Sequence, residues 1–186
     1  PAPPLVVKEW IKGPPVEVKA GTNLFVVGIF TVSSSASRES ITNLDTLQKR
    51  FRDKGVVVVG VSDDPPERIT QFVTKAGAAV DYAIAADDRW QTSLGYMRPV
   101  RQRGVPHVFL VGKDGKLLWH GHPLGGMEEA LHQIVAGRYN PEPAIQRDVA
   151  RTHIDQYVTL ARRSDPRTPA AGRKFLMTWT NDAPAL

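Results

Sequence analysis

The chain has 186 residues and no cysteine. That length suits one domain, or one domain with an appendage, and a chain of this size buries about two thirds of its unfolded surface without a disulfide or metal staple. The missing thiol excludes a disulfide framework, a thiolate metal site, a cysteine nucleophile and dithiol chemistry. The net charge is +5 and the pI about 9.6. Residues 1–137 carry 16 basic against 14 acidic side chains and residues 138–186 carry 8 against 5, so the excess is spread along the chain. The densest basic stretch, Arg98, Arg101 and Arg103, reads as a solvated face, and nucleic acid is not expected as a partner. No apolar run approaches the ~18 residues that span a bilayer. The start at Pro1-Ala2-Pro3-Pro4 reads as a mature or trimmed product, and the tail that stops at Leu186 reads either as packing back on the preceding unit or as leading into a further region.

Residues 1–23 hold five of the fifteen prolines and read as extended segments around Leu5-Val6-Val7 and Trp10-Ile11. Leu24 to Phe30 is a continuous apolar run of strand length, expected to be buried on both faces. A serine-rich stretch, Ser33-Ser34-Ser35-Ala36-Ser37, follows. Ile41, Leu44, Leu47 and Phe51 then recur at spacings of three and four, which predicts an amphipathic helix ending near Gly55. Val56 to Val61 is a second buried strand. Asp64-Pro65-Pro66-Glu67 predicts a helix start with Asp64 as its cap, a proline in its first turn and Glu67 reaching back. Tyr82-Ala83-Ile84 reads as a short strand and Arg89 to Tyr96 as a short helix. Val108 to Val111 and Lys116 to His120 flank Lys113-Asp114-Gly115, a strong hairpin signal. A helix from about Gly126 to Val135 closes this unit.

Strand and helix alternate, which predicts an α/β fold with a parallel core, and the terminal hairpin adds an antiparallel edge. Beyond Gly137 the texture changes. Asn140 to Pro143 is a breaker, Ile145 to Ala161 carry one apolar stripe of a helix that Asp165-Pro166 ends, and Ala170 to Thr178 reads as another. The predicted domains are 1–137 and a helical extension over 138–186, too polar to form a core alone.

Several local features in this order carry a resemblance. They are Pro1-Ala2-Pro3-Pro4-Leu5, the helix start Arg38-Glu39-Ser40-Ile41, and Lys54-Gly55-Val56 through Ser62. Gly104-Val105-Pro106-His107-Val108, Lys113-Asp114-Gly115-Lys116 and Trp119-His120-Gly121-His122-Pro123 complete the set. Over residues 1 to about 137 the chain resembles the thioredoxin-like superfamily, and within it the TlpA/ResA-type, AhpC/TSA-related redoxins that act as thiol-disulfide oxidoreductases. The resemblance implies a mixed central sheet flanked by helices, a cis-proline at Val105-Pro106, no cofactor, and a groove beside Pro106 that takes protein or extended peptide. It also implies an extracytoplasmic location. The family's Trp-Cys-x-x-Cys falls on Ser33, Ser34 and Ser37, and a proline of the next turn falls on Thr42.

A serine forms no disulfide, and its hydroxyl is far too weak an acid for a helix N-terminus to ionise usefully. Both dithiol positions are therefore inert as written. The expected binding residues are Ser33, Ser34, Ser35, Ser37, Val105, Pro106 and His107. Ser33, Val32 and Thr42 also depart from the pattern, which favours natural loss of the dithiol. The alternative is an oxidoreductase carrying Cys-to-Ser changes for study. Other readings of these residues are weaker. The serines lack the Gly-x-Ser-x-Gly elbow of a hydrolase and read as a polar turn that caps the helix. The peroxidatic cysteine of a peroxidase is absent. His120-Gly121-His122 reads as structural, with no third ligand at a telling spacing.

Overall fold

The structure, a computed structural model, describes residues 1–162 and Ala170. The predicted end of the last helix at Asp165-Pro166 and the helix expected over 170–178 lie outside the described residues, Ala170 apart. The chain divides into two units, Pro1–Tyr139 and Asn140–Leu186.

The first unit is built on six strands: β1 (Val7–Lys12), β2 (Leu24–Phe30), β3 (Val56–Ser62), β4 (Ala83–Asp87), β5 (His107–Val111) and β6 (Leu117–Gly121). They form one sheet in the order β1-β4-β3-β2-β5-β6. β2, β3 and β4 are parallel, while β1, β5 and β6 each run antiparallel to a neighbour. The extended segment expected near Trp10 is thus a true edge strand. The helices are α1 (Ser35–Phe51), α2 (Pro66–Ala76), α3 (Gln91–Met97) and α4 (Met127–Val135). This is the mixed sheet with flanking helices that the resemblance implies.

Strand alternation sends side chains to two cores. On one face Leu24, Val26 and Phe30 of β2 meet Ile41, Leu44, Leu47 and Phe51 of α1, with Ile69 of α2 and Leu131 of α4. On the other, Val27, Ile29, Val59, Val61 and Phe109 pack with Tyr96 and Met97 at the end of α3, against Leu5 and Trp10 of the N-terminal segment. The four large side chains of α1 are each no more than 2% exposed. Burying each contributes about 1.5–3 kcal/mol relative to exposure, whereas a helix cap contributes about 1 kcal/mol. The sheet contact therefore seats α1. The seat is tight at Gly28, where an added Cβ would lie 2.7 Å from a Leu44 methyl.

Polar side chains on α1 complete the sheet. The β3–β4 ladder begins at Val59, so earlier backbone groups of β3 need other partners. The buried Gln48 amide accepts from Val58 N–H at 2.8 Å and donates to the Val56 carbonyl at 3.3 Å. Asp45 accepts from Asp81 N–H at 2.6 Å.

Three sequence expectations are corrected here. Asp64 does not cap α2: the helix starts behind Pro65, with no side-chain cap and with Pro66 in its first turn. The helix expected from Arg89 begins at Gln91, because Arg89 and Trp90 are left-handed (φ 50° and 62°). The carboxylate of Asp87 instead gathers the N–H groups of Thr92 (2.9 Å) and Ser93 (2.8 Å). β4 also extends past Ile84 to Asp87, through residues that are not β-branched.

In the second unit the described part is one helix, α5 (Glu142–Arg162). Ile145, Val149, Ile154, Tyr157 and Val158 are exposed along it. No helix among the described residues is long and apolar enough to cross a membrane.

Candidate functional site

The site lies where the parallel strands end, the usual place for function in an open α/β sheet. Phe30 and Ser62 end β2 and β3 side by side. β5 runs the other way, and its first residue, His107, pairs with Ile29. The register thus brings three loops to one end of the sheet: 31–34 after β2, 63–65 after β3, and 104–106 before β5.

The first loop turns directly into α1. Ser34 is the N-cap, with extended backbone (φ −90°, ψ 131°), and its Oγ accepts from Ser37 N–H at 3.4 Å. Ser37 is fully buried, and its Oγ accepts from Thr31 N–H at 3.3 Å. The two hydroxyl oxygens therefore sit three residues apart on the first turn, both engaged with backbone N–H groups. Arg38 donates from Nη1 to the Val32 carbonyl at 3.0 Å and closes the loop from outside. Ser33 and Ser35 are exposed, and Ser33 Oγ lies 2.9 Å from Thr31 Oγ1.

A residue assigned by sequence to another task holds this loop. The Oδ2 of Asp64 accepts from Val32 N–H (2.7 Å), Thr31 Oγ1 (2.8 Å) and Ser62 Oγ (2.9 Å). Arg68 stands 3.7 Å from its other oxygen. Burial works against the charged form, but the bonds from Val32, Thr31 and Ser62, with the Arg68 charge, outweigh it. They hold the Asp64 carboxyl below its ordinary value of 3.8. Because Thr31 donates to Asp64, its oxygen is left to accept from Ser33. The chain of hydroxyls ends on a carboxylate without an imidazole, so it orders the loop and generates no nucleophile.

On the β5 side, the Val105–Pro106 peptide bond is cis. Val105 is 37% exposed and Pro106 is buried. His107 shares the sheet face of Phe109, its ring 5.0 Å away. Val108 and Leu110 point to the α1 side, so alternation turns His107 to the opposite face from the serines. It is 3% exposed. Its Nδ1 lies 3.2 Å from Gln102 Nε2, and its Nε2 lies 3.1 Å from Nδ1 of His120.

Of the residues singled out by sequence, Ser33, Ser34 and Ser37 thus join one network. Ser35 is on the open side of the same turn. Val105 and Pro106 reach the same end of the sheet by register, and His107 belongs to a separate cluster. Sequence reasoning did not find Thr31, Ser62 and Asp64, or the partnership of Gln102 and His120. A serine ending a buried strand, with an aspartate two residues on, was the available signal for the first group.

Three comparisons with known proteins bear on this site. A profile of the AhpC/TSA family matches residues 12–120, more than half of the chain and every loop of the site. Protein FixW of Rhizobium leguminosarum is 22% identical over 147 residues, which cover 75% of this chain and 66% of that protein. A thiol-disulfide isomerase from Corynebacterium glutamicum superposes with a TM-score of 0.60 at 17% identity, covering 75% of this chain and 96% of that one. A thiol:disulfide interchange protein of the thioredoxin family from Chlorobium tepidum gives 0.58 at 16%, covering 74% and 94%. At these identities the two structures establish the thioredoxin-like fold and nothing finer.

Proposed function

Because the chain belongs to the AhpC/TSA family and has no thiol in its 186 residues, we propose that it is a redox-inactive module of the TlpA type. It binds a protein or an extended peptide at the edge beside Pro106. The observation that carries this reading is the state of the helix start. By the resemblance, Ser34 and Ser37 take the places of the family's dithiol, and both are turned to structural use. One caps α1, and the other is sealed from solvent and holds Thr31. Neither is offered to a substrate as a reacting group.

Binding needs less than redox exchange does. Ladder pairing of β5 begins at His107, so the backbone of Gly104 and Val105 lies beyond the sheet. An extended chain can hydrogen-bond such backbone as an added strand. The exposed Val105 side chain beside it offers apolar contact, and the Asp64 bonds keep the facing loop in place without any disulfide.

Amide chemical-shift mapping with extended peptides tests the reading. Perturbations should cluster at residues 31–37 and 104–107. A folded protein whose amides do not respond there to any peptide would overturn it. Insulin reduction by the Ser34→Cys/Ser37→Cys variant addresses the second reading, that working cysteines were replaced. Negligible turnover by the folded variant is expected, because Ser33 and Thr42 still depart from the family's pattern. Vigorous turnover would favour the second reading.

A further inference from the structure

We propose that the surface leading into Pro106 selects an acidic segment of its partner, with Trp90 as an apolar anchor and Arg98, Arg101 and Arg103 as carboxylate receptors. This rests on the peptide-binding reading above and names the chemistry of the peptide.

The segment from Asp88 to Pro106 leaves the end of β4 and returns at the start of β5. In the strand order it must pass the ends of β3 and β2. It does so on the face where Tyr96 and Met97 pack against Val59, Val61 and Phe109. Its other side is open. Trp90 is 56% exposed and Leu94 37%, and Arg98 is exposed as well. These three recur every fourth residue and are tied in one line, Leu94 N–H to the Trp90 carbonyl at 2.8 Å and Arg98 N–H to the Leu94 carbonyl at 3.1 Å. Arg101 and Arg103, also exposed, continue from Arg98 toward Val105.

Two features separate this stripe from an ordinary solvated face. The first is its charge. No acidic residue occurs between Asp88 and Asp114. Of the acids that end β3 and β4, Asp64 is held by the loop and Arg68, Asp87 by Thr92 and Ser93, and Asp88 by Arg89 and Gln91. Asp63 is the exposed member of that group. The second is the corner that presents Trp90. Arg89 and Trp90 are both left-handed, a conformation that bulky residues avoid. It leaves an indole in water, where its burial on a partner would be favourable. Tryptophan and arginine are, with tyrosine, the side chains enriched among the residues that anchor interfaces. Arginine forks match carboxylates, and an extended polypeptide is what the adjacent backbone can take.

Fluorescence anisotropy with three labelled peptides of one length tests this: one rich in Asp and Glu, one with Asn and Gln in their place, and one rich in Lys, each with a single Phe. The acidic peptide should bind the wild-type chain roughly tenfold more tightly than the neutral one at about 0.05 M salt. That margin should narrow at about 0.3 M. Arg98→Glu/Arg101→Glu/Arg103→Glu should abolish the preference, and the corresponding Gln variant should lose most of it. Trp90→Ala should weaken both peptides several-fold. Circular dichroism and thermal midpoints establish that each variant is folded. Equal binding of all three peptides, or a preference that survives the triple substitution, overturns the acidic assignment and leaves groove binding standing. Acidic binding that depends on the arginines, without any neutral binding, supports this surface and overturns the groove. A single-stranded RNA that displaces the acidic peptide at lower concentration overturns the choice of a polypeptide, and no binding by any peptide overturns both.

Discussion

Two polar clusters flank the start of β5, on opposite faces of the sheet, and they hold their surroundings in different ways. On the α1 side, one carboxylate gathers a backbone N–H and two hydroxyls from segments about thirty residues apart in sequence. On the other side, Gln102, His107 and His120 join ring to amide and ring to ring across a hairpin. Charge-assisted bonds are about twice as strong as neutral ones. The first cluster therefore fixes the loop that carries the serines, while in the second Gln102 ties the loop that carries the arginines to the hairpin. A site that retains its shape without a disulfide needs the former.

The sharpest way to break this comparison is Asp64→Ala. It leaves the Val32 N–H and the Thr31 and Ser62 hydroxyls without their acceptor and should cost about 2–3 kcal/mol, read as a lower urea midpoint at unchanged m-value. A loss below about 0.5 kcal/mol would mean that water replaces the carboxylate freely. Acid sharpens the same point. The folded Asp64 carboxyl lies below its ordinary 3.8, so its contribution is full above that value and fades as pH falls through the folded one. The stability difference between the wild type and Asp64→Asn should therefore hold steady from neutral pH to about pH 5 and shrink on further acidification. Urea midpoints along a pH series check this.

His120→Leu removes the bond to His107 and should cost less, about 1 kcal/mol. Amide exchange should speed up in the Arg98–Gly104 loop and stay unchanged at 31–34. Equal acceleration in both loops would show that the two clusters are coupled. Ser33→Ala should be the smallest change, within about 0.5 kcal/mol, because Thr31 keeps its bond to Asp64. A larger loss on thermal melting would place Ser33 among the groups that Asp64 holds.

The strands were legible where composition left little choice. Val56 to Val61 is β-branched and continuous, and β2 is apolar throughout. β4 was only half visible, because Ala83 to Ala86 declare no preference and burial between β1 and β3 makes them a strand. The position of the serines at a helix start was equally legible, since capping is local. Asp64 was not. Its spacing before two prolines and a glutamate fits a helix cap, but the N–H of Val32 lies 2.7 Å from its oxygen, and no pattern within one segment displays a donor in another. The surroundings of His107 were hidden for a related reason. Its place after Pro106 suggested a role in the groove, while the alternation that sends Phe109 to one core sends His107 with it. The bond to His120 appears only once the hairpin register is known.

Gly28 and Leu44 carry one more consequence. A methyl of Leu44 occupies the space where a side chain at position 28 would begin. Ten residues separate Leu44 from Ser34, about 15 Å along a helix. α1 thus behaves as a beam clamped at mid-span, with its N-terminal end carrying the serine turn. What fastens the beam and what it displays are encoded by different residues. Residues at that end can change with the mid-span fastening left untouched.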